Sequence, residues 1–159
     1  MSEYTARVRW ERGAQNFTDA RYSRAHVWTF DGGIDVPASA SPAIVAAPLS
    51  ESCAIDPEEA FVASLASCHM LTFLALAAKA GFRVDSYDDL ALGVLEKNGA
   101  GRLAITRVRL RPRVVFSGSA LPMAETARAL HEKAHEECFL ANSVRTDVLV
   151  EPADMPETA

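Results

Sequence analysis

The chemistry available to this chain lies in its cysteines. There are three, and Cys68 and Cys138 sit in contexts that suggest a pair. Cys68 lies in the middle of the apolar run DPEEAFVASLASCHMLTFLALAAKAGF, and Cys138 falls in AHEECFLANSV. A buried cysteine is by default a small apolar residue with a weak S–H donor. Two thiols on two helices suggest more, because a reducing compartment does not preserve permanent disulfides and leaves catalytic, redox-sensing or metal-binding uses. Cys53 precedes the long run in a loop-like segment and is given no role.

If Cys68 attacks a substrate, it does so as the thiolate, and a mid-helix position gains little from the helix dipole, which acts within the terminal turn. A cation has to come from elsewhere in the fold. Arg21 and Arg24 are the candidates, since His69, next in sequence, points about 100° away around the helix. Cys138 follows Glu136 and Glu137 near the C-terminal end of its helix, where charge and dipole disfavour a thiolate. On that reading Cys68 attacks and Cys138 resolves the sulfenic acid into a disulfide. A rival set is His131, His135 and Cys138, at i, i+4 and i+7 on one helix face, to which Cys68 could add a fourth zinc ligand. No CxxC accompanies it, and the interleaved alanines suit the same face to core packing. On the residues alone the redox, metal and core readings all stay open.

These residues need two helices to carry them. The first is predicted from Asp56 to Phe82, with Asp56 as N-cap, Pro57 at the first position, Glu58 and Glu59 in the first turn, and Lys79 and Gly81 at the close. It has no polar stripe, which predicts burial on all sides. Ser64, Ser67, His69 and Thr72 interrupt the apolar run and charges bound it closely, so a membrane span is not expected. The second helix is predicted over Pro122 to Cys138, with Ala127, Leu130, Ala134 and Cys138 at helical spacing.

Alternation predicts a half-buried strand over Tyr4 to Trp10 and a second ending at Asp31-Gly32. Gly33 to Ala54 reads as a long loop, because Pro37, Pro42 and Pro48 oppose a long helix or a central strand. Further strands are expected over Tyr87 to Lys97, through RLAITRVRLRPRVVF, and over SVRTDVLVEP. In RLAITRVRLRPRVVF, Val108, Leu110, Val114 and Phe116 face one way, and Arg107, Arg109, Arg111 and Arg113 face solvent; Pro112 requires an edge or a bulge. Strand runs separated by two helices give an α+β fold in which curved antiparallel sheets wrap the helices.

The 159 residues, 49% of them hydrophobic, suit a single domain over 1–159 with the acidic tail 152–159 flexible. The net charge is −5 and the arginines gather no aromatics around them, which opposes a nucleic-acid partner. MSEYTARVRW has no apolar signal core, so a cytoplasmic location is expected.

DPEEAFVASLASCHMLTFLALAAKAGF and AHEECFLANSV together resemble the two cysteine motifs of the OsmC-like / organic hydroperoxide resistance family of thiol peroxidases, and YSRAH resembles its short arginine motif. The resemblance covers most of the chain, weakly over Gly33 to Ala54 and not in the tail. It implies an intertwined homodimer with sheets wrapped around two long central helices, and reduction of organic hydroperoxides to alcohols. Cys68 would be the peroxidatic and Cys138 the resolving cysteine, with Arg24 and Glu58 as the arginine and glutamate of the site. No haem or metal cofactor is implied, and the reductant is a thiol, often a dihydrolipoyl protein. Phe61, Leu65, Leu71 and Phe139 are the candidates to line an alkyl-peroxide pocket. Phe139 departs from the proline that many members carry after the second cysteine. Ten residues, about 15 Å of straight helix, separate Glu58 from Cys68, so Glu58 is expected to serve the Cys68 of the other subunit. The alternatives are a non-enzymatic module of the same fold, binding a small ligand or sensing redox state, and the Cys/His metal site.

Overall fold

The computed structural model describes residues 1–152 and 157–158, and the chain divides into two compact units, Met1–Ala60 and Phe61–Ala159. The first unit holds an antiparallel meander of β1 (Ala6–Arg9), β2 (His26–Phe30) and β3 (Asp35–Ala38). Where the sequence predicts only loop after Gly33, β3 closes a hairpin with β2 through Gly33, whose φ of 77° suits glycine. Pro37 lies in an outer strand, where a missing N–H is tolerated.

β1 is exposed on both faces rather than half-buried, because it is an outer strand with no layer over it in its unit. Trp10, just past its end, packs on Phe17 and Tyr22 and donates its indole N–H to the Ser23 carbonyl at 2.8 Å. The apolar end of the alternating pattern therefore secures the polar turn instead of a sheet core.

The helix α1 (Pro57–Lys79) starts where its caps predict. The Glu59 N–H donates to Asp56 Oδ1 at 2.7 Å, and the Asp56 N–H reaches back to Glu59 Oε2 at 3.3 Å, a reciprocal capping box. It stops in a Schellman motif: the Phe82 N–H bonds the Ala77 carbonyl and the Gly81 N–H that of Ala78, with Gly81 at φ 83°.

In the second unit β4 (Arg83–Asp89), β5 (Leu92–Lys97), β6 (Leu103–Leu110), β7 (Pro112–Ser117), α2 (Ala124–Glu137), β8 (Asp147–Val150) and β9 (Glu157–Thr158) follow α1. They build two sheets, β4-β7-β9 and β5-β6-β8. β4-β7 and β5-β6 pair antiparallel, but β8 joins β6 and β9 joins β7 in parallel, so the sheets are mixed rather than purely antiparallel. Two segments predicted as single strands are each two. Leu90 and Ala91 separate β4 from β5, and Arg111 separates β6 from β7. The side-chain alternation runs unbroken through the second break, so Val108, Leu110, Val114 and Phe116 are all buried as predicted. Pro112 cannot donate to a ladder and begins β7, and the chain there passes from one sheet to the other. On the opposite face Arg111 and Arg113 are exposed and Arg107 and Arg109 half-buried, with Arg109 3.9 Å from Glu151.

α1 spans both cores. Its N-terminal half sets Leu65 against Val108, Leu110 and Val148, and its C-terminal half sets Phe73 and Ala77 against Val114, Phe116 and Ala134. By length and composition α1 could cross a bilayer, but it is packed as a core helix along Leu65, His69, Phe73 and Ala77. Burial on all sides is not observed in the single chain: Ser64, Ser67, Leu71, Ala75 and Ala78 share an exposed face. The helix α2 is two residues shorter at its start than predicted and ends with Cys138 as C-cap. The expected flexible tail falls largely on residues 153–156 and 159, outside the described residues.

Candidate active site

The fold brings the side chains of Cys68 and Cys138, seventy residues apart, near enough for one thiol to influence the other, with both thiols free. Cys68 is half-buried in the middle of α1, where Thr72 Oγ1 bonds its carbonyl at 2.9 Å. Cys138 is 1% exposed at the point where α2 gives way to the short 3₁₀ turn Ala141–Ser143. Its N–H bonds the His135 carbonyl, and Asn142 ties down its carbonyl through both the backbone N–H and the side-chain amide, each at 3.1 Å.

Burial comes first among the influences that push the Cys138 thiol above its ordinary range; the backbone N–H groups of Ala141 and Leu140 oppose it, and the neighbouring Cys68 adds to it. Burial thus favours the thiol form of Cys138 over its thiolate. The cause is burial, where the sequence pointed to Glu136 and Glu137.

One buried pair lies beside the cysteines without having been expected. His69 Nε2 and His131 Nδ1 are 3.2 Å apart, their rings within 8° of parallel, and His131 stacks on Phe73 at 4.1 Å. Burial, then the neighbouring His135, pushes His69 down to about 4; burial, then His69, does the same to His131. Both rings are neutral near pH 7. The sequence did carry one sign: His69 is the polar member of the four-residue stripe Leu65, His69, Phe73, Ala77. His131, expected in a metal face with His135, turns into the core, and among the described residues no group of three His, Cys, Asp or Glu side chains is arranged to hold a metal ion.

Arg24 and Glu58 belong to the first unit. The Arg24 guanidinium lies 3.7 Å from the centre of the Tyr22 ring and donates to the carbonyls of Ala20 and Tyr22. Glu58 is half-buried in the first turn of α1, and among the described residues no hydrogen bond or ion pair joins it to Arg24. α1 runs unbroken from Pro57 to Lys79, so the break that would let Glu58 approach the Cys68 of its own chain does not occur. Arg21 is exposed, with its N–H on Asp19, and Cys53 is exposed. Among the expected pocket residues, Leu65 is buried in the core and Phe61 packs on that cluster, whereas Leu71 and Phe139 are 61% and 82% exposed. A cleft of about 440 Å³ lined by Leu74, Ala78, Gly81, Phe82, Arg83 and Val84 lies at the far end of α1 and includes neither cysteine.

Two helices packed on mixed sheets, with a pair of free thiols between them, define an α+β dithiol protein. The chain belongs to the OsmC-like family, described as OsmC-like protein, whose match covers residues 50–152. A comparison with curated proteins found no match. Among solved structures, an OsmC-like protein of unknown function from Vibrio cholerae is 53% identical, with a TM-score of 0.95 over 96% of this chain and 100% of that one. An organic hydroperoxide resistance protein OsmC of Legionella pneumophila shares the fold at 20% identity and TM-score 0.62, over 100% of this chain and 99% of that one. OhrB of Bacillus subtilis, an organic hydroperoxide resistance protein, does so at 24% identity and TM-score 0.64, over 94% and 98%.

Proposed function

We propose that this protein is a dithiol peroxidase that reduces organic hydroperoxides. The observation that carries the reading is the meeting of a half-buried Cys68 with a fully buried Cys138 whose thiol form is favoured by burial. The Cys68 thiolate attacks the terminal oxygen of R–O–O–H, the O–O bond breaks, and the alkoxide takes a proton and leaves as alcohol. Cys68 is then a sulfenic acid. Cys138 displaces its hydroxyl as water, and an external dithiol returns the disulfide to two thiols while becoming a disulfide itself. The Ala141 and Leu140 N–H groups at the Cys138 sulfur suit it to leave as thiolate in that last step.

Arg24 serves in this reading as the cation that holds the Cys68 thiolate and the peroxide, and Glu58 orients it. Both act in a homodimer, where Glu58 reaches the Cys68 of the second copy. The exposed face of Ser64, Ser67, Leu71, Ala75 and Ala78 supports that assembly, since small side chains let helices approach closely and Cys68 lies at its edge. Leu71 and Phe139 offer apolar surface to an alkyl group; hydrogen peroxide has none to offer in return. A dihydrolipoyl protein is the expected reductant.

The test is a free-thiol count on reduced protein before and after one equivalent of an alkyl hydroperoxide, with the disulfide mapped by mass spectrometry. Loss of two thiols per chain, mapped to Cys68 and Cys138, supports the peroxidase. Persistence of both thiols through excess oxidant overturns it.

A further inference from the structure

α1 and α2 bring together the neighbouring thiols of Cys68 and Cys138 and the hydrogen-bonded rings of His69 and His131. Cys68 and His69 are adjacent on α1, about 1.5 Å apart along its axis, while His131 and Cys138 are seven residues apart on α2, about 10 Å. The two pairs thus meet α2 at well-separated points, and the histidine pair is joined by a hydrogen bond. Apolar packing surrounds the histidines, with Phe73 and Ala134 in the adjoining cluster. A disulfide demands register, because its Cα separation and dihedral fall in a narrow window.

We propose that the His69–His131 hydrogen bond is a positioning device that holds α1 and α2 in the register at which Cys68 and Cys138 can join. It deepens the dithiol reading above and rests on it, naming two residues that touch neither peroxide nor reductant.

His69 Nδ1 is buried without a partner. A bare ring acceptor is cheaper to bury than a bare N–H, so His69 donates from Nε2 and His131 accepts at Nδ1. Sliding one helix past the other would strand that donor as well. The pair is shielded: His69 is 1% and His131 4% exposed, and the titratable groups facing them are His135 from α2 and Tyr87 from β4. Neutral rings keep the bond intact through the physiological range, since protonation of both would place donor against donor.

The experiment is the equilibrium of the Cys68–Cys138 disulfide with glutathione, read by thiol quantification in a series of redox buffers on the full chain without peroxide. His131→Leu keeps bulk but removes the acceptor, and is expected to lower the equilibrium constant for disulfide formation about tenfold, the worth of one neutral hydrogen bond. His131→Asn presents a polar atom near the Nδ1 position and is expected to recover to within about threefold of wild type. His69→Met and His69→Gln give the same contrast from the other helix, and decide the matter should the Leu variant not fold. Apolar and polar variants equally impaired, or an apolar variant equal to wild type, overturn the clamp. A wild type that forms no disulfide at all defeats the dithiol reading itself, a result distinct from either.

Discussion

At the scale of single residues, the division of labour proposed for the two cysteines rests on burial. Cys138, enclosed and with its thiol form favoured by burial, would be the poorer first nucleophile and the better waiting partner. Cys68→Ser is expected to abolish consumption of alkyl hydroperoxide, measured by peroxide assay. Cys138→Ser is expected to complete one turnover and stop at a sulfenate trapped by a 1,3-dicarbonyl reagent. A second expectation concerns pH. His69 and His131 take up protons only near pH 4 in the folded chain but near 6.5 when unfolded, so between those values the unfolded state binds more protons. Stability is therefore lost as pH falls from 6.5 toward 4, by at most about 3 kcal/mol for each histidine. Urea midpoints across that window should fall less steeply in His131→Asn than in wild type.

At the scale of elements, α1 depends on its ends and on one close approach. A Cβ at Gly93 of β5 would meet Val62 Cγ2 at 2.5 Å, so β5 lies against the helix as only glycine permits. Gly93→Ala is expected to cost about 2 kcal/mol in chemical denaturation by prising β5 from α1. The ends should matter about half as much. Asp56→Ala removes the side chain that receives the Glu59 N–H, and Gly81→Ala forces alanine to φ 83°; each is expected to cost about 1 kcal/mol. If Asp56→Ala lowered peroxide turnover while leaving stability unchanged, the first turn of α1 would have a role beyond capping.

At the scale of the whole molecule, the open face of α1 sets the expectation. A helix with mean apolarity sufficient for a bilayer, yet buried along one stripe only, exposes Leu71 between small residues. Sedimentation is expected to give twice the 17.2 kDa chain mass. Leu71→Glu on that face should shift the protein toward monomer and, on the proposed trans arrangement of Glu58 and Cys68, lower peroxide turnover at least tenfold. A monomeric wild type with full activity would remove the trans arrangement.

By itself the sequence determined what local chemistry dictates. Asp56, Glu59 and Gly81 announced both ends of α1 because caps are satisfied within a few residues of themselves, and the alternation of Val108, Leu110, Val114 and Phe116 marked the core face of two strands. The two cysteines and the helices that carry them were legible for the same reason, whereas the burial that sets Cys138 apart was not. Only the tertiary structure decided matters that depend on distant chain. Pro112 divides the two strands between different sheets, a choice made by the strands they pair with. β3 owes its place in a proline-bearing segment to β2. His69 and His131, sixty-two residues apart, read as a core residue and a candidate metal ligand until packing joined them. Cys68 reached Cys138 in the same way, because which residues of two helices meet is decided by tertiary packing and by no spacing within either helix.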